Sequence, residues 1–442
     1  MIVSVEFVGP YAAADVAFPS VPEWPPHPDR LFQAFVDAAD LAAPDEQAAL
    51  RWLEAQPAPG IACGEAVFMA PAETFVPVNY PDAHPLPEQR VKQPRSFPMA
   101  WPQGRVDFVW TDPDPEVLAA LNRIAGRVSH VGRAESVCVA EVSLADTKPV
   151  WSPQADGGLS LRVPHAGRLD ELELAYQSGR YGANAPSVPY GRVGDQAVIG
   201  PWGEMVIVRL RHALSVENLV AATEALRRAV LSRLGDDAPA SAHGHGRHDH
   251  LAWLGLPNLS PYARGELLGL AMVLPRQIDP RERAQCLRAL LAVDHIVHGG
   301  RRLDVEPPTH AVSLTASTWS RPARVWESVS PVVLDRYPRR SLSLADVLAD
   351  SVERAGYPRP LRVEVIDRGA ANLPQARHFR LRKPGRLYSH VRIEFDVPVK
   401  GPLLVGAERY FGLGLCLPAD ARTPIEGGNP TGSRGASAGQ AR

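Results

Sequence analysis

Apolar residues open the chain at 2 to 8 as a strand-like run, and Pro28 then heads a helical stripe of Leu31, Phe32, Phe35 and Ala39. Strand-like runs follow at 60 to 69 (GIACGEAVFM) and 106 to 110 (VDFVW), separated by residues 71–105, which hold eight prolines. Proline can neither donate to a sheet ladder nor continue a helix, so that stretch is expected to be an extended excursion or loop. A helix at 115–128 and a strand at 136–144 complete the order βαββαβ, the split βαβ unit of ferredoxin-like folds.

The same order then recurs. MVIVRL at 205–210 predicts a strand, and Ser215 caps a helix to about Leu234 with Leu219, Ala222, Leu226 and Val230 on one face. Strands are expected at 250–257 and 266–275, a helix from the Asp279-Pro280 start, and a fourth strand at 310–317. A looser third copy has a strand at 325–334, a helix from Ser343 ended by Gly356 and Pro358, and strands at 361–366, 388–397 and 411–417. The expected fold class is therefore α+β, with tandem ferredoxin-like (RRM-like, βαββαβ) lobes, one N-terminal and two C-terminal. The expected domains are 1–200 and 201–420, the latter divided at about 204–318 and 319–420, with a disordered Gly/Ser/Pro-rich tail at 421–442.

Composition narrows the class. With 442 residues, 45% hydrophobic and 22% charged, the chain has enough apolar material for two or three cores and is not a disordered sequence. Four scattered cysteines without a CxxC pair speak against a zinc ribbon or a disulfide framework. The first residues, MIVSVEF, are not a secretory signal, and no apolar run reaches the ~18 residues of a membrane span, so a cytoplasmic protein with no membrane partner is expected. A net charge of -2 excludes a uniformly basic nucleic-acid coat but not a local basic face. Only four of the 47 basic residues are lysine, a bias that a GC-rich genome accounts for as well as phosphate binding does.

Residues 376–393 carry Arg377, Arg380, Arg382, Lys383, Arg386 and Arg392 without one acid, interleaved with His378, Phe379, Tyr388 and His390. Cations for the backbone and rings for stacking are what single-stranded RNA requires; a solvated strand pair is the alternative. In GPLLVGAERYFGLGL (401–415), Gly401, Gly406, Gly412 and Gly414 can turn backbone N–H groups toward phosphate beside Arg409, although Glu408 opposes an anion there. The other reading is a hairpin turn followed by a bulged strand. Neither a P-loop nor a dinucleotide motif is present, so no cofactor is expected.

His243, His245, His248 and His250 crowd one glycine-containing loop. They can serve as metal ligands, though neither HExxH nor a zinc-finger spacing is present. They can equally supply acid–base catalysis, since RNA cleavage without a metal needs a group near pKa 7 to take the ribose 2'-OH proton. Arg133 and Glu135 in HVGRAES are an RNA contact or a structural ion pair.

The segments EWPPHPDRLFQAF (23–35), RSFPMAWP (95–102), VGRAES (131–136), HLAWLGLPNL (250–259), GLAMVLPR (269–276), SVSPVVLDRYPRR (328–340) and GPLLVGAERYFGLGL (401–415) carry a resemblance. Together they resemble the CRISPR-associated fusion proteins of type I-G (formerly I-U) systems. In those proteins two RAMP-superfamily subunits, a guide-RNA handle-binding one and the repeat-processing endoribonuclease, share one chain. The resemblance implies an N-terminal lobe that caps the 5' handle of the guide RNA and a C-terminal half that cuts CRISPR repeat RNA without a metal, leaving a 2',3'-cyclic phosphate. It implies other type I effector-complex subunits as partners, and His243 as general base, with His250 second and His245 third. The RNA contacts expected are Arg377, Arg380, Arg382, Lys383, Arg386, Tyr388, Gly401, Gly406, Arg409, Gly412, Gly414 and Arg133. A non-catalytic RNA-binding scaffold and a His-loop metal protein are the competing classes.

Overall fold

The computed structural model describes residues 1–14, 22–78, 84–180, 184–243, 250–260, 262–337, 343–383 and 385–419. The tail at 421–442 and His245 therefore lie outside the described residues, as do Arg339 and Arg340. The fold is built three times from one strand order. In the N-terminal lobe β1 (Ile2–Phe7), β2 (Gly60–Cys63), β5 (Val106–Val109) and β6 (Cys138–Ser143) lie in the antiparallel order β6-β1-β5-β2. That is the ferredoxin-like arrangement. Helices α1 (Pro28–Ala38), α2 (Pro44–Glu54) and α3 (Pro115–Ala125) cover one face, and Leu31, Phe32, Phe35, Leu50, Leu53, Leu121 and Ile124 are buried against Val3, Val5, Ile61 and Phe108.

Between β2 and β5 the proline-rich stretch is an extended excursion, the first of the two expected alternatives. It is a long hairpin of β3 (Ala66–Pro77) and β4 (Lys92–Pro102), joined along β4 by the short strand Tyr11–Ala12. Proline is tolerated there because the arm is a separate three-stranded sheet in which Pro71, Pro77, Pro94, Pro98 and Pro102 sit in its two long strands, where few neighbours need their missing N–H. Beyond β2 the main sheet continues with β7 (Trp151–Pro153), then β9 (Ser187–Arg192) and at its edge β8 (Leu159–Arg162), α4 (Arg168–Gln177) joining β8 to β9 along the chain.

The second lobe places β10 (Trp202–Ser215), β11 (Ala252–Pro257), β12 (Glu266–Pro275) and β14 (Arg301–Glu306) in the order β14-β10-β12-β11, with β13 (His295–His298) paired outside β14. Helices α5 (Leu219–Leu234) and α6 (Pro280–Leu291) pack on it, and Asp279 caps α6 as its sequence predicts. The fourth strand is β14, not residues 310–317. The HIVH-GG-RRLDVE run is a hairpin on a two-glycine turn, whereas 312–314 and 316–320 are helical turns whose Leu314 and Trp319 plug the core.

The third lobe orders β15 (Ala323–Ser328), β16 (Arg362–Ile366), β17 (Tyr388–Lys400) and β18 (Leu415–Ala419) as β18-β15-β17-β16. Its single long helix, α7 (Leu344–Arg354), starts at the Ser343–Asp346 capping box. No second α-helix lies between β17 and β18 among the described residues; the glycine segment, with a single 3-10 turn at Arg409–Phe411, takes its place. The linker strand Val198–Ile199 pairs in parallel with Val399 and Lys400 at the end of β17, so the chain leaving the first lobe is hydrogen-bonded into the third.

His390, expected among RNA-facing residues, is instead fully buried under β15. Its Nε2 donates to the Pro374 carbonyl at 3.1 Å and its Nδ1 accepts from Ser328 Oγ at 3.0 Å, which commits both nitrogens in the neutral ring. Burial pushes it down from 6.5 to about 4. The unfolded chain takes up this proton below about pH 6.5 and the folded chain only near 4, so stability present above that window is lost as the pH falls through it. The loss is at most about 3 kcal/mol. Thermal unfolding midpoints of the native chain should fall between pH 7 and pH 4.5, and those of His390→Gln should fall measurably less; equal slopes would show that this histidine does not set the acid limit.

Candidate functional site

The two described histidines of the loop stand at its ends. His243 closes a helical turn, Ala240–His243, and is exposed; His250 is half-buried where the chain enters β11. The Leu251 N–H donates to the Ser241 carbonyl at 2.9 Å, so the chain leaves and re-enters the lobe at one place. Helix α5 supplies Arg227, whose Nη2 donates to the His243 carbonyl at 3.2 Å. The His250 ring lies 3.7 Å from the Tyr410 ring at an interplanar angle of 31°. Its Nδ1 is 3.0 Å from the Leu251 carbonyl, an oxygen that can only accept, so Nδ1 carries a proton.

The glycine segment brings Tyr410 there. Gly406, Gly412 and Gly414 all have positive φ, which residues other than glycine rarely adopt. A Cβ on Gly412 would stand 2.7 Å from Leu219 Cδ2 and 3.2 Å from the Trp253 carbonyl; on Gly414 it would overlap the Val405 carbonyl. At Gly401 and Gly406 it would meet the Trp319 and Val333 carbonyls at 2.4 and 2.5 Å. All four glycines are buried against protein and do not offer an open phosphate cradle. Their bare Cα atoms are needed to close the segment on the lobes, and Thr223 Oγ1 donates to the Phe411 carbonyl at 3.0 Å across the same contact.

Glu408, which opposes an anion on sequence grounds, is spent internally. Its buried carboxylate accepts the backbone N–H groups of Arg382 and Lys383 at 3.0 and 3.1 Å. The basic stretch is thereby fastened to the glycine segment. Arg382 lies 3.8 Å over the Phe411 ring and donates to Glu224 on α5 at 2.9 Å. One turn along α5 stands Arg227, whose guanidinium is pushed below its ordinary value by burial and then by the charge of Arg382, with Glu224 opposing. Two guanidiniums thus lie within reach of one another's charge, with Glu224 paired to Arg382 and Arg227 bonded to the His243 carbonyl.

The remaining expected contacts divide. Arg377, Arg380 and Lys383 are exposed on the same stretch, with Arg380 3.6 Å from Glu217. Arg386 donates to the Leu334 carbonyl and Tyr388 is a half-buried member of β17. Arg409 donates to the Gly406 carbonyl at 2.9 Å, next to Tyr410. Phe379 is buried edge-on against His390 and is no stacking platform. Arg133 is in the first lobe, over the Phe97 ring, and is not part of this cluster. Sequence reading missed Arg227, Glu224, Tyr410 and Phe411. The Glu-x-x-Arg spacing on α5 was visible, but the placement of Arg382, 155 residues later, beside it was not. Among the described residues no group of three His, Cys, Asp or Glu converges as metal ligands.

A cavity of about 650 Å³ lies elsewhere, where the first lobe meets the third. Glu65, Asp156, Asp195 and Glu394 outnumber Arg192 and Arg324 on its walls, which disfavours a polyanion.

The sequence profile of the CRISPR-associated protein GSU0054 family matches residues 2–418. The chain belongs to this family. No curated protein matches it. Family membership therefore stands on the profile, and three solved structures are remote likenesses. A CRISPR-associated protein Cas6 has 10% identity and a TM-score of 0.30, covering 49% of this chain and 100% of its own. A Cas6 product complex has 17% identity and a TM-score of 0.30, covering 50% and 99%. A Cas6-related protein from Pyrococcus furiosus has 12% identity and a TM-score of 0.27, covering 49% and 100%. Among the described residues of this family member no helix is long and apolar enough to cross a membrane.

Glu408→Ala removes the acceptor of two backbone donors and should cost about 1–3 kcal/mol in urea unfolding. It should also speed tryptic cleavage after Arg380 and Arg382 in the folded protein; an unchanged digestion rate would show that the stretch is held by other contacts.

Proposed function

We propose that the chain is a CRISPR repeat-RNA endoribonuclease of the type I-G fusion kind, with residues 201–420 forming the nuclease and 1–200 holding the 5' handle of the guide RNA. The observation that carries the reading is the set of His243, His250, Arg227 and Arg382 gathered between the second and third lobes. In this arrangement RNA runs over the exposed basic stretch, Arg377, Arg380 and Lys383 engage the backbone, and the scissile phosphate lies between Arg227 and Arg382.

The chemistry then follows from the residues. The base, His243, takes the proton of the ribose 2'-OH, and the 2'-oxygen attacks phosphorus. The P–O5' bond breaks, the leaving 5'-oxygen receives a proton from Nε2 of His250 in its imidazolium form, and a 2',3'-cyclic phosphate forms. The two guanidiniums hold the extra negative charge of the phosphorane-like transition state, for which their excess over Glu224 provides the field. His250 suits the acid–base pair because Tyr410 stacking and the Leu251 carbonyl fix its ring and tautomer. His245 is the third candidate. Bound guide RNA and the other effector subunits are the partners this reading requires.

Incubating the protein with its repeat RNA in EDTA should give cleavage with a cyclic-phosphate end. His243→Ala with His250→Ala should lose at least about 100-fold in rate. Arg227→Ala should lose about 10- to 100-fold while RNA affinity changes little. Absence of cleavage in EDTA, or full cleavage by the double variant, overturns the assignment and favours a non-catalytic RNA scaffold.

A further inference from the structure

The hairpin arm of the first lobe presents a second basic and aromatic face, in a different lobe from the histidines. Along β4 the pleat buries Pro98 and Ala100 and turns Arg95, Phe97, Met99 and Trp101 to the other side. Trp101 is 45% exposed, and its cross-strand partner on β3, Val67, is exposed beside it; Met69 is likewise paired with Met99. The face therefore runs from a cation at Arg95 through Phe97 to an open indole.

Two further arginines meet that cationic end. The Arg133 guanidinium lies 3.5 Å from the centre of the Phe97 ring. Arg30 reaches the same corner from α1, its Cδ 3.5 Å from where a Cβ on Gly132 would be. Its Nε is fixed by the buried Glu23 carboxylate at 2.8 Å, and that carboxylate is also taken by Tyr11 and Arg162. Burial pushes the Arg133 guanidinium below its ordinary value; Glu135 counters this, and Arg30 and Arg95 add to it. A phosphate between the three arginines would relieve that repulsion. The exposed indole two strand-steps further on is the group against which a base stacks, a spacing of cations and rings that suits a strand of nucleic acid and not a free anion.

We infer that this face is a second single-stranded RNA site, in which Arg30, Arg95 and Arg133 hold one phosphate and Trp101 stacks a neighbouring base. It rests on the reading of the chain as an RNA protein and adds to it the surface that the first lobe uses. It is independent of the nuclease cluster, so the two can fail separately.

The test uses the full chain carrying His243→Ala and His250→Ala, so that labelled repeat RNA is bound without turnover. Adding Arg133→Ala should weaken binding about 5- to 10-fold and lower the salt dependence by about one ion. Trp101→Ala should weaken it about 5- to 100-fold with the salt slope unchanged. Both side chains are exposed, and unfolding midpoints within a few degrees of the parent will show that the fold is kept. Undiminished RNA affinity in both variants overturns the inference whether or not the protein cleaves. The same holds if the variants lose only an effector subunit and keep their RNA, which would make the face a protein contact. Weakened binding by a chain that never cleaves upholds this site and removes the nuclease reading.

Discussion

Closure of the glycine segment on helix α5 is the contact from which the candidate site follows. Leu219, Thr223 and the Trp253 carbonyl leave no room for a side chain at Gly412, and Thr223 Oγ1 holds the neighbouring Phe411 carbonyl. Once the backbone is that close, Tyr410 reaches His250 and Phe411 lies under Arg382. Glu408 then fixes the turn at Arg382 and Lys383, turning an otherwise solvated basic run into a rigid one. A third lobe with a second long helix before β18 would not make this contact, because the segment would be committed to its own sheet. The missing helix is what lets one lobe lend residues to the other.

The first lobe solves a different problem, the burial of charge. Glu23 accepts hydrogen bonds from Tyr11, Arg30 and Arg162 at 2.7 to 2.9 Å, and Asp29 pairs bidentately with the fully buried Arg168. Burial alone raises the Glu23 carboxyl, yet its neighbours, His27 and Arg30 first, hold it below the ordinary carboxylate value. Buried ions of this kind are costly unless further hydrogen bonds compensate, and here Glu23 also accepts from the His27 N–H and Asp29 from Gln33. They tie α1 to β8 and to the start of α4, so the specific-looking EWPPHPDR run is in large part the lock that fastens the sheet extension to the core.

The architecture was legible where periodicity and caps acted locally. The four strands of the first lobe, the Asp279 and Ser343 caps and the α5 stripe all follow from neighbouring residues. Prolines at 71–105 argue against a central strand, and the strands found there stand apart from the main sheet in a hairpin that accepts them. A misreading came where a local rule was outranked. The alternating HAVSLTAS run reads as a strand, yet the Gly299-Gly300 turn had already supplied the fourth strand upstream. At the site, the loop histidines and the basic stretch were visible in the sequence. Arg227, Tyr410 and the internal use of Glu408 depended on contacts more than a hundred residues apart or on burial, which no window of sequence contains.

The parallel ladder between Val198–Ile199 and the end of β17 bears on where this chain divides. Arg321 to the Gly158 carbonyl at 2.9 Å, Arg324 to Asp195 at 2.8 Å and Lys400 to Asp156 at 3.2 Å reinforce the same seam. A boundary drawn by strand order falls near residue 200, whereas one drawn by hydrogen bonding falls before Val198. Separating the chain at the first place strips the third lobe's sheet of an edge strand; separating it at the second leaves that edge paired. The linker is thus the last strand of a domain that begins after it, and the first lobe is handed to the rest of the molecule in one fixed orientation.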